Sequence, residues 1–146
     1  MDHGKQAGIT PRLIIHGGAG NIQRRGYPAE KYDEYRTALL TTVRNTHAYM
    51  TAEKRRQPRS ALAMATHAVV QLEDCPLFNS ARGAVFTRDG VNELEASVMV
   101  SRGRAKRGVG VGGLRRVRNP ILLARAMLER GGRDLGARGR PSLAPA

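Results

Sequence analysis

The sequence predicts one layered domain of helices and strands, of the α+β or α/β class. Three observations predict it. The length of 146 residues suits a single domain. Segments with helical periodicity alternate with short segments rich in β-branched residues, and glycine or proline separates most of them. The predicted order is strand, two helices, strands and a final helix, so that helices are available to cover one side of each strand.

The first strand is predicted at residues 13–15, where β-branched residues give way abruptly to a glycine turn. A helix is predicted over residues 27–56, because Pro28 suits a first turn, acidic residues come early and basic ones late. Its large side chains fall mainly on one face, formed by Tyr32, Tyr35, Leu39, Val43 and Met50. A second helix, apolar on nearly all sides and therefore buried, is predicted from its cap Ser60 to Asp74.

Two strands are predicted next, over residues 83–87 and 94–100, joined as a hairpin around Asp89-Gly90. Residues 107–117 predict a further strand. The last helix is predicted to have Asn119 as its cap and Pro120 at its first position. Beyond Arg130 the sequence loses its periodicity, which predicts a disordered basic tail at 131–146.

Charge divides the chain near residue 101. Residues 1–100 carry 13 Lys and Arg against 10 Asp and Glu, whereas residues 101–146 carry 12 against 2. Such a basic end attracts polyanions, which gives the sequence an alternative function as a non-catalytic fragment that binds nucleic acid or another polyanion. The same end has no Phe, Tyr, Trp or His on which bases stack, so nucleic acid is not the expected partner.

A lone cysteine, Cys75, excludes an internal disulfide and fits a reducing compartment. The N-terminal residues lack the apolar core of a signal peptide, and no apolar run reaches transmembrane length. We therefore expect a cytoplasmic protein with no membrane partner. Residue types that bind metals or form catalytic dyads occur without the spacing of a metal site: His16, His67, Asp74 and Cys75.

Two glycine patterns have simple explanations. Gly108, Gly110 and Gly113 match the dinucleotide-binding pattern, but a basic segment precedes them and a proline follows shortly. We interpret them as a glycine-rich strand or loop. The glycine turn at residues 16–20 is either a source of N–H donors for an anion or a plain tight turn, and its sequence favours neither.

Four separated segments carry a family resemblance. They are residues 13–22, 60–74, 72–99 and 116–130. In this order they resemble the N-terminal half of the plant-type L-asparaginase and isoaspartyl peptidase family. The resemblance implies an α+β fold that is part of the αββα sandwich of N-terminal nucleophile hydrolases. It divides the chain into a flexible N-terminus at 1–11, an α-subunit-like half at 12–130 and the tail.

The resemblance also implies a chemistry. The family's precursor cleaves itself and exposes a threonine whose own amino group acts as its base. That threonine attacks the side-chain amide of L-asparagine or the isopeptide bond of a β-aspartyl dipeptide, and hydrolysis releases L-aspartate. None of the eight threonines here follows a glycine, so no catalytic residue is assigned. We expect a chain truncated before the nucleophile, inactive alone, that needs a β-subunit-like half and pairs with it or with another copy through exposed sheet edges.

By motif match, the resemblance assigns three groups of residues. A glycine-rich element associated with precursor processing comprises His16, Gly17, Gly18 and Gly20. A structural sodium ion is bound by the main-chain carbonyls of Leu72, Glu73, Cys75, Phe78, Ser80 and Arg82. Asn79 either braces the active site by hydrogen bonding or simply caps its turn. The family usually has glycine where this chain has Ala81.

Overall fold

The computed structural model describes residues 11–18, 25–52, 59–101 and 107–134. These residues form three α-helices and a two-stranded sheet, which confirms the predicted combination of helices and strands. In chain order the elements are α1 (Ala29–Thr51), α2 (Ala61–Glu73), β1 (Leu94–Val100), β2 (Arg107–Leu114) and α3 (Pro120–Asp134), with a short 3₁₀ turn at Ala81–Gly83. Within the described ranges, each helix is too short or too polar to cross a membrane.

The first two helices begin where the sequence predicts. Pro28 precedes α1, and its carbonyl accepts the first helical hydrogen bond, from the Tyr32 N–H at 3.0 Å. Ser60 caps α2, because its hydroxyl oxygen accepts the Ala63 N–H at 3.2 Å. The predicted residues 53–56 of the first helix lie outside the described part of the chain.

Threonines of α1 and α2 are buried more completely than a large side chain from the face predicted for α1. Thr42, Thr46 and Thr66 are each at most 4% exposed, whereas Tyr32 is 57% exposed. The hydroxyls of Thr42 and Thr66 donate to the carbonyls of Ala38 and Leu62 one turn earlier, at 3.0 and 2.9 Å. Because those hydroxyls are satisfied within their own helices, the threonines are buried without loss of hydrogen bonds.

The antiparallel sheet of β1 and β2 confirms two of the predicted strands. Ser97 lies opposite Gly110 and Val98 opposite Val109, with an irregularity in register between Leu94 and Ala96. Exposure alternates along β1, with the even-numbered residues partly buried and the odd-numbered ones exposed. Since α3 packs against both strands, the partly buried side is the one that α3 covers.

The last helix starts at Pro120, as predicted, and its buried residues Ile121, Ala124 and Leu128 follow helical spacing. It runs to Asp134, so residues 131–134 belong to α3 instead of the predicted tail, and residues 135–146 lie outside the described structure. The predicted cap is also different. The Asn119 side chain donates to Glu73 and Asp74, and the carboxylate of Glu73 accepts the Ile121 N–H in its place.

The predicted strand at residues 13–15 is wrong. This segment has no strand assignment, and Ile14 is 93% exposed. A strand needs a neighbour to complete its ladder of hydrogen bonds. The sheet in the described residues contains only β1 and β2, so the segment has no partner there.

The predicted strand at residues 83–87 is also wrong, although the turn at Asp89-Gly90 does form. The Thr87 N–H donates to the Val91 carbonyl at 2.8 Å, and the Gly90 N–H donates to the Thr87 carbonyl at 3.0 Å. The backbone N–H and carbonyl groups that a strand would use for its ladder are hydrogen-bonded to asparagine side chains instead. Asn79 accepts the Val85 N–H, and the Asn92 amide donates to the carbonyls of Ala84 and Val85.

Candidate functional site

The loop that follows α2, residues 74–83, is a series of tight turns. The Leu72 carbonyl accepts the Cys75 N–H at 3.3 Å, and the Cys75 carbonyl accepts the Phe78 N–H at 3.5 Å. The Phe78 carbonyl accepts the Ser80 N–H at 2.7 Å, and the Ser80 carbonyl accepts the Gly83 N–H. Each of these oxygens has a second lone pair. The predicted sodium ligands thus lie along one short stretch of chain, which begins with Leu72 and Glu73 at the end of α2 and continues through the folded loop to Arg82.

Gly83 lies where the loop closes on itself. A Cβ built on this residue would lie 2.1 Å from the Phe78 carbonyl oxygen and 2.6 Å from that of Pro76. Both neighbours are backbone atoms, which cannot rotate away as a side chain can. The loop therefore requires glycine at this position for lack of space. Sequence reasoning did not single out Gly83, because the residues it contacts are known only once the loop is folded.

Ala81 has a backbone conformation that suits glycine. Its φ is +43°, the only positive φ at a non-glycine residue in the described ranges. A left-handed conformation brings the Cβ close to the following carbonyl, which costs roughly 1–2 kcal/mol. Alanine in place of the family's usual glycine therefore keeps the turn at position 81 but adds backbone strain to it.

We expect Ala81→Gly to stabilise the chain by about 0.5 kcal/mol, because relief of the left-handed strain exceeds the entropy cost of glycine. Urea denaturation followed by circular dichroism measures the change. Ala84→Gly is the matched control, since Ala84 has an ordinary φ of −63° and should lose stability on the same substitution. A loss of stability in both variants would contradict the argument.

Asn79 connects the loop to the segment that follows it. Its side-chain oxygen accepts the Val85 N–H, six residues further on, at 3.0 Å. The Asn92 amide fixes the same segment from the other end, at 2.9 Å from the Ala84 carbonyl. Asn79 therefore holds the loop closed, and its predicted role as a brace of an active site stays a prediction.

The glycine-rich segment packs against this loop. A Cβ on Gly17 would lie 3.0 Å from the Phe78 ring and 3.2 Å from the Leu39 side chain, so the backbone approaches both closely. The ring nitrogen Nδ1 of His16 accepts the Gly18 N–H at 3.1 Å, and Gly18 has a φ of +98°. Gly20, the last residue assigned to this element, lies outside the described residues.

A groove of about 920 Å³ lies between α1, α2, the glycine-rich segment and the loop. Its lining is mixed, with apolar side chains such as Leu39, Val69 and Leu77 beside polar ones such as His16 and Asn79. The structure thus brings the glycine-rich segment, Asn79 and part of the predicted sodium loop to one concave surface.

The sequence analysis assigned no role to the side chain of Glu73. It is 1% exposed, at the end of α2, and its carboxylate accepts the Ile121 N–H at 2.9 Å and the Asn119 amide at 3.0 Å. It therefore caps α3 from another helix, where a negative charge suits the helix N-terminus. Burial raises the pKa of Glu73, against the effect of these two hydrogen bonds, and the nearby charge of Asp74 raises it further.

The glycine pattern at residues 108–113 lies within a strand. Gly108, Gly110 and Gly113 lie within β2, and α3 follows after a turn, so they form the glycine-rich strand that we preferred over a dinucleotide site. In the part of the chain that the structure describes, no three side chains of His, Cys, Asp and Glu are grouped as metal ligands. Cys75 is a free, partly buried thiol.

Comparison with known proteins supports one family. The family model described as asparaginase matches residues 9–137. The isoaspartyl peptidase of Salmonella typhimurium is 42% identical over 118 residues, which cover 81% of this chain and 36% of the relative. That of Escherichia coli is 41% identical over 117 residues, covering 80% and 34%. The plant-type L-asparaginase of Pyrococcus furiosus is 36% identical over 118 residues, covering 81% and 35%. The chain spans about a third of the length of these relatives.

Proposed function

Because this chain belongs to the asparaginase family, we propose that it is the α-subunit-like part of an enzyme that hydrolyses L-asparagine or β-aspartyl peptides to L-aspartate. The observation that carries this proposal is the 42% identity with an isoaspartyl peptidase over 118 residues. The family match at residues 9–137 includes the closed loop at 74–83 and the glycine-rich segment that packs against it. In this proposal the chain supplies architecture around the reaction.

The nucleophile comes, in this proposal, from a segment outside these 146 residues, joined to this chain or supplied separately. None of the eight threonines follows a glycine, as the self-cleaving family motif requires. A joined precursor would cleave itself before that threonine, whose freed amino group then serves as the base. We expect the 146 residues alone to be inactive. A reducing compartment such as the cytoplasm fits the free Cys75.

The uncovered face of the sheet supports the αββα sandwich as the complete fold. On the side away from α3, Met99 is 66% exposed, and a Cβ on Gly110 or Gly112 would meet nothing within 4 Å. Because β2 has only glycine at these two positions, another sheet can pack closely against the face there, as the second sheet of a sandwich does. We propose that the missing half of the fold covers this face.

We propose further that the loop at 74–83 binds the structural sodium ion of the family. The carbonyls of Leu72, Glu73, Cys75, Phe78, Ser80 and Arg82 would hold it. Oxygen ligands suit a hard cation, and the turns leave a lone pair free on the carbonyl oxygens that they use. The close approach of Gly83 to the carbonyls of Pro76 and Phe78 is consistent with a loop whose oxygens crowd together. The ion's part would be to stiffen the loop.

The test of the proposed function is a chimera. Residues 9–137 of this chain replace the matching residues of the Salmonella isoaspartyl peptidase, and the product is assayed for ammonia from L-asparagine and free aspartate from β-aspartyl dipeptides. We expect the chimera to cleave itself and turn over substrate, and the 146-residue chain to do neither. A folded, self-cleaved chimera without turnover would refute the function. Turnover by the chain alone would reveal a different nucleophile.

We expect Gly110→Val to disturb the assembly of the complete fold in the chimera but not the folding of the isolated chain. In the isolated chain the new side chain enters open space at an ordinary φ, so stability should change by no more than about 0.5 kcal/mol. In the chimera the same side chain obstructs the proposed contact between sheets, so hydrolysis should fall at least about tenfold, equivalent to ~1.4 kcal/mol. Gly110→Ala should show a smaller loss. Full activity of the Gly110→Val chimera would place the second sheet elsewhere.

A further inference from the structure

A polar cluster joins the C-terminal part of α1 to the second half of α2. The Gln71 amide nitrogen donates to the Thr46 hydroxyl at 3.0 Å and lies 3.1 Å from Nδ1 of His67. The Asn45 amide donates to the Gln71 side-chain oxygen at 2.9 Å. The His67 ring stacks on Tyr49, with centroids 4.0 Å apart and an interplanar angle of 8°. The enzyme function proposed above assigns no role to this cluster.

The side chain of Gln71 disfavours a proton on Nδ1 of His67. The Gln71 amide nitrogen also lies 3.2 Å from the His67 backbone carbonyl, which only accepts hydrogen bonds, so this atom of Gln71 is a donor. A donor offers no acceptor to a proton on Nδ1, so the 3.1 Å contact favours the neutral ring with its proton on Nε2. The Thr46 hydroxyl lies 3.5 Å from the same Nδ1. A proton added at Nδ1 would face the N–H groups of Gln71.

The surrounding charges also oppose a proton on His67. The Arg59 guanidinium lies 3.4 Å from the centroid of the Tyr49 ring, and Arg59 Nε donates to the Tyr49 carbonyl at 2.7 Å. Two flat groups this close to one ring must lie on opposite faces, so Tyr49 is stacked between Arg59 and His67. Burial, and then the charge of Arg59, lower the pKa of His67.

We propose that His67 is an acid-sensitive latch between α1 and α2, closed when its ring is neutral and released when a proton on Nδ1 displaces the Gln71 amide. Tyr49 from α1 and Arg59 from the segment before α2 are the titratable or charged groups shown in contact with the cluster. In the described residues no carboxylate is hydrogen-bonded or ion-paired to His67. The same two helices form walls of the 920 Å³ groove, so release of the latch would loosen that surface.

The direction of the pH dependence follows from the lowered pKa. A base whose pKa is lower in the folded state stabilises the fold fully above its ordinary value, near 6.5, and loses that stabilisation as the pH falls through its folded value. We therefore expect the α1–α2 pairing to weaken below about pH 6.5.

The test is a pH titration of the full chain by NMR, with thermal unfolding measured at pH 7.5 and 5.5. His67 should show the Nε2-protonated tautomer and titrate below its ordinary value near 6.5. The unfolding midpoint should fall by roughly 3 °C more between the two pH values than in His67→Phe. The exposed His47 gives the matched control, because His47→Phe should keep the wild-type dependence of the midpoint on pH. Gln71→Glu supplies an acceptor, so it should raise the pKa of His67 and restore stability in acid. A His67 that titrates at or above its ordinary value, or a Gln71→Glu variant no more stable in acid than the wild type, would overturn the latch, even if His67→Phe did not fold.

Discussion

Replacing Gly83 with alanine is expected to lower the free energy of unfolding by about 3 kcal/mol or more, the largest effect of any single methyl group added to the described residues. The added Cβ would lie 2.1 Å from the Phe78 carbonyl oxygen and 2.6 Å from that of Pro76. Neither oxygen can move without opening the turns on either side of it. The loop at 74–83 must therefore unfold or take another path.

Urea denaturation, with circular dichroism as the probe, measures the loss. Gly110→Ala is the matched control, since it adds the same methyl group where nothing lies within 4 Å and should change the free energy by at most about 0.5 kcal/mol. Equal stability of the two variants would show that the loop does not close on Gly83.

Elements with local signals were predictable from the sequence. The cap at Ser60, the strand at Leu94–Val100 and the helix start at Pro120 each depend on residues within one turn or on a simple alternation of exposure. The two wrong strands, at 13–15 and 83–87, depend on partners distant in the chain. Residues 13–15 have no neighbouring strand in the described sheet, and 83–87 are held by side chains of Asn79 and Asn92.

The candidate site was predictable only through the family resemblance. Composition and spacing did not distinguish the segment 72–82 from any proline-containing turn, because backbone carbonyls, the proposed ligands, leave no signature in residue type. Glu73 was named for its carbonyl, whereas the structure reveals the function of its side chain. That function spans 48 residues, from Glu73 to Ile121, and no local pattern encodes such a contact.

The second large effect is expected for Glu73→Ala. The substitution leaves the Ile121 N–H at the start of α3 without its acceptor, and it removes a partner of the Asn119 amide. A buried N–H left without an acceptor costs roughly 1–3 kcal/mol, so we expect a loss of about 2 kcal/mol or more. Because the carboxylate joins the end of α2 to the start of α3, both helices should loosen together.

Glu73→Gln separates the hydrogen bonds of this carboxylate from its charge. The glutamine oxygen can still accept the Ile121 N–H, so the variant should lose only about 1 kcal/mol at neutral pH. An acid whose pKa is raised by folding stabilises the fold fully at low pH and loses that stabilisation as the pH rises from its ordinary value of 4.5 through the folded one. The wild type should thus lose stability relative to Glu73→Gln as the pH rises across that window. If the free energy of unfolding changes with pH in the same way in the wild type and in Glu73→Gln, the charge of Glu73 has no influence on the junction of the two helices.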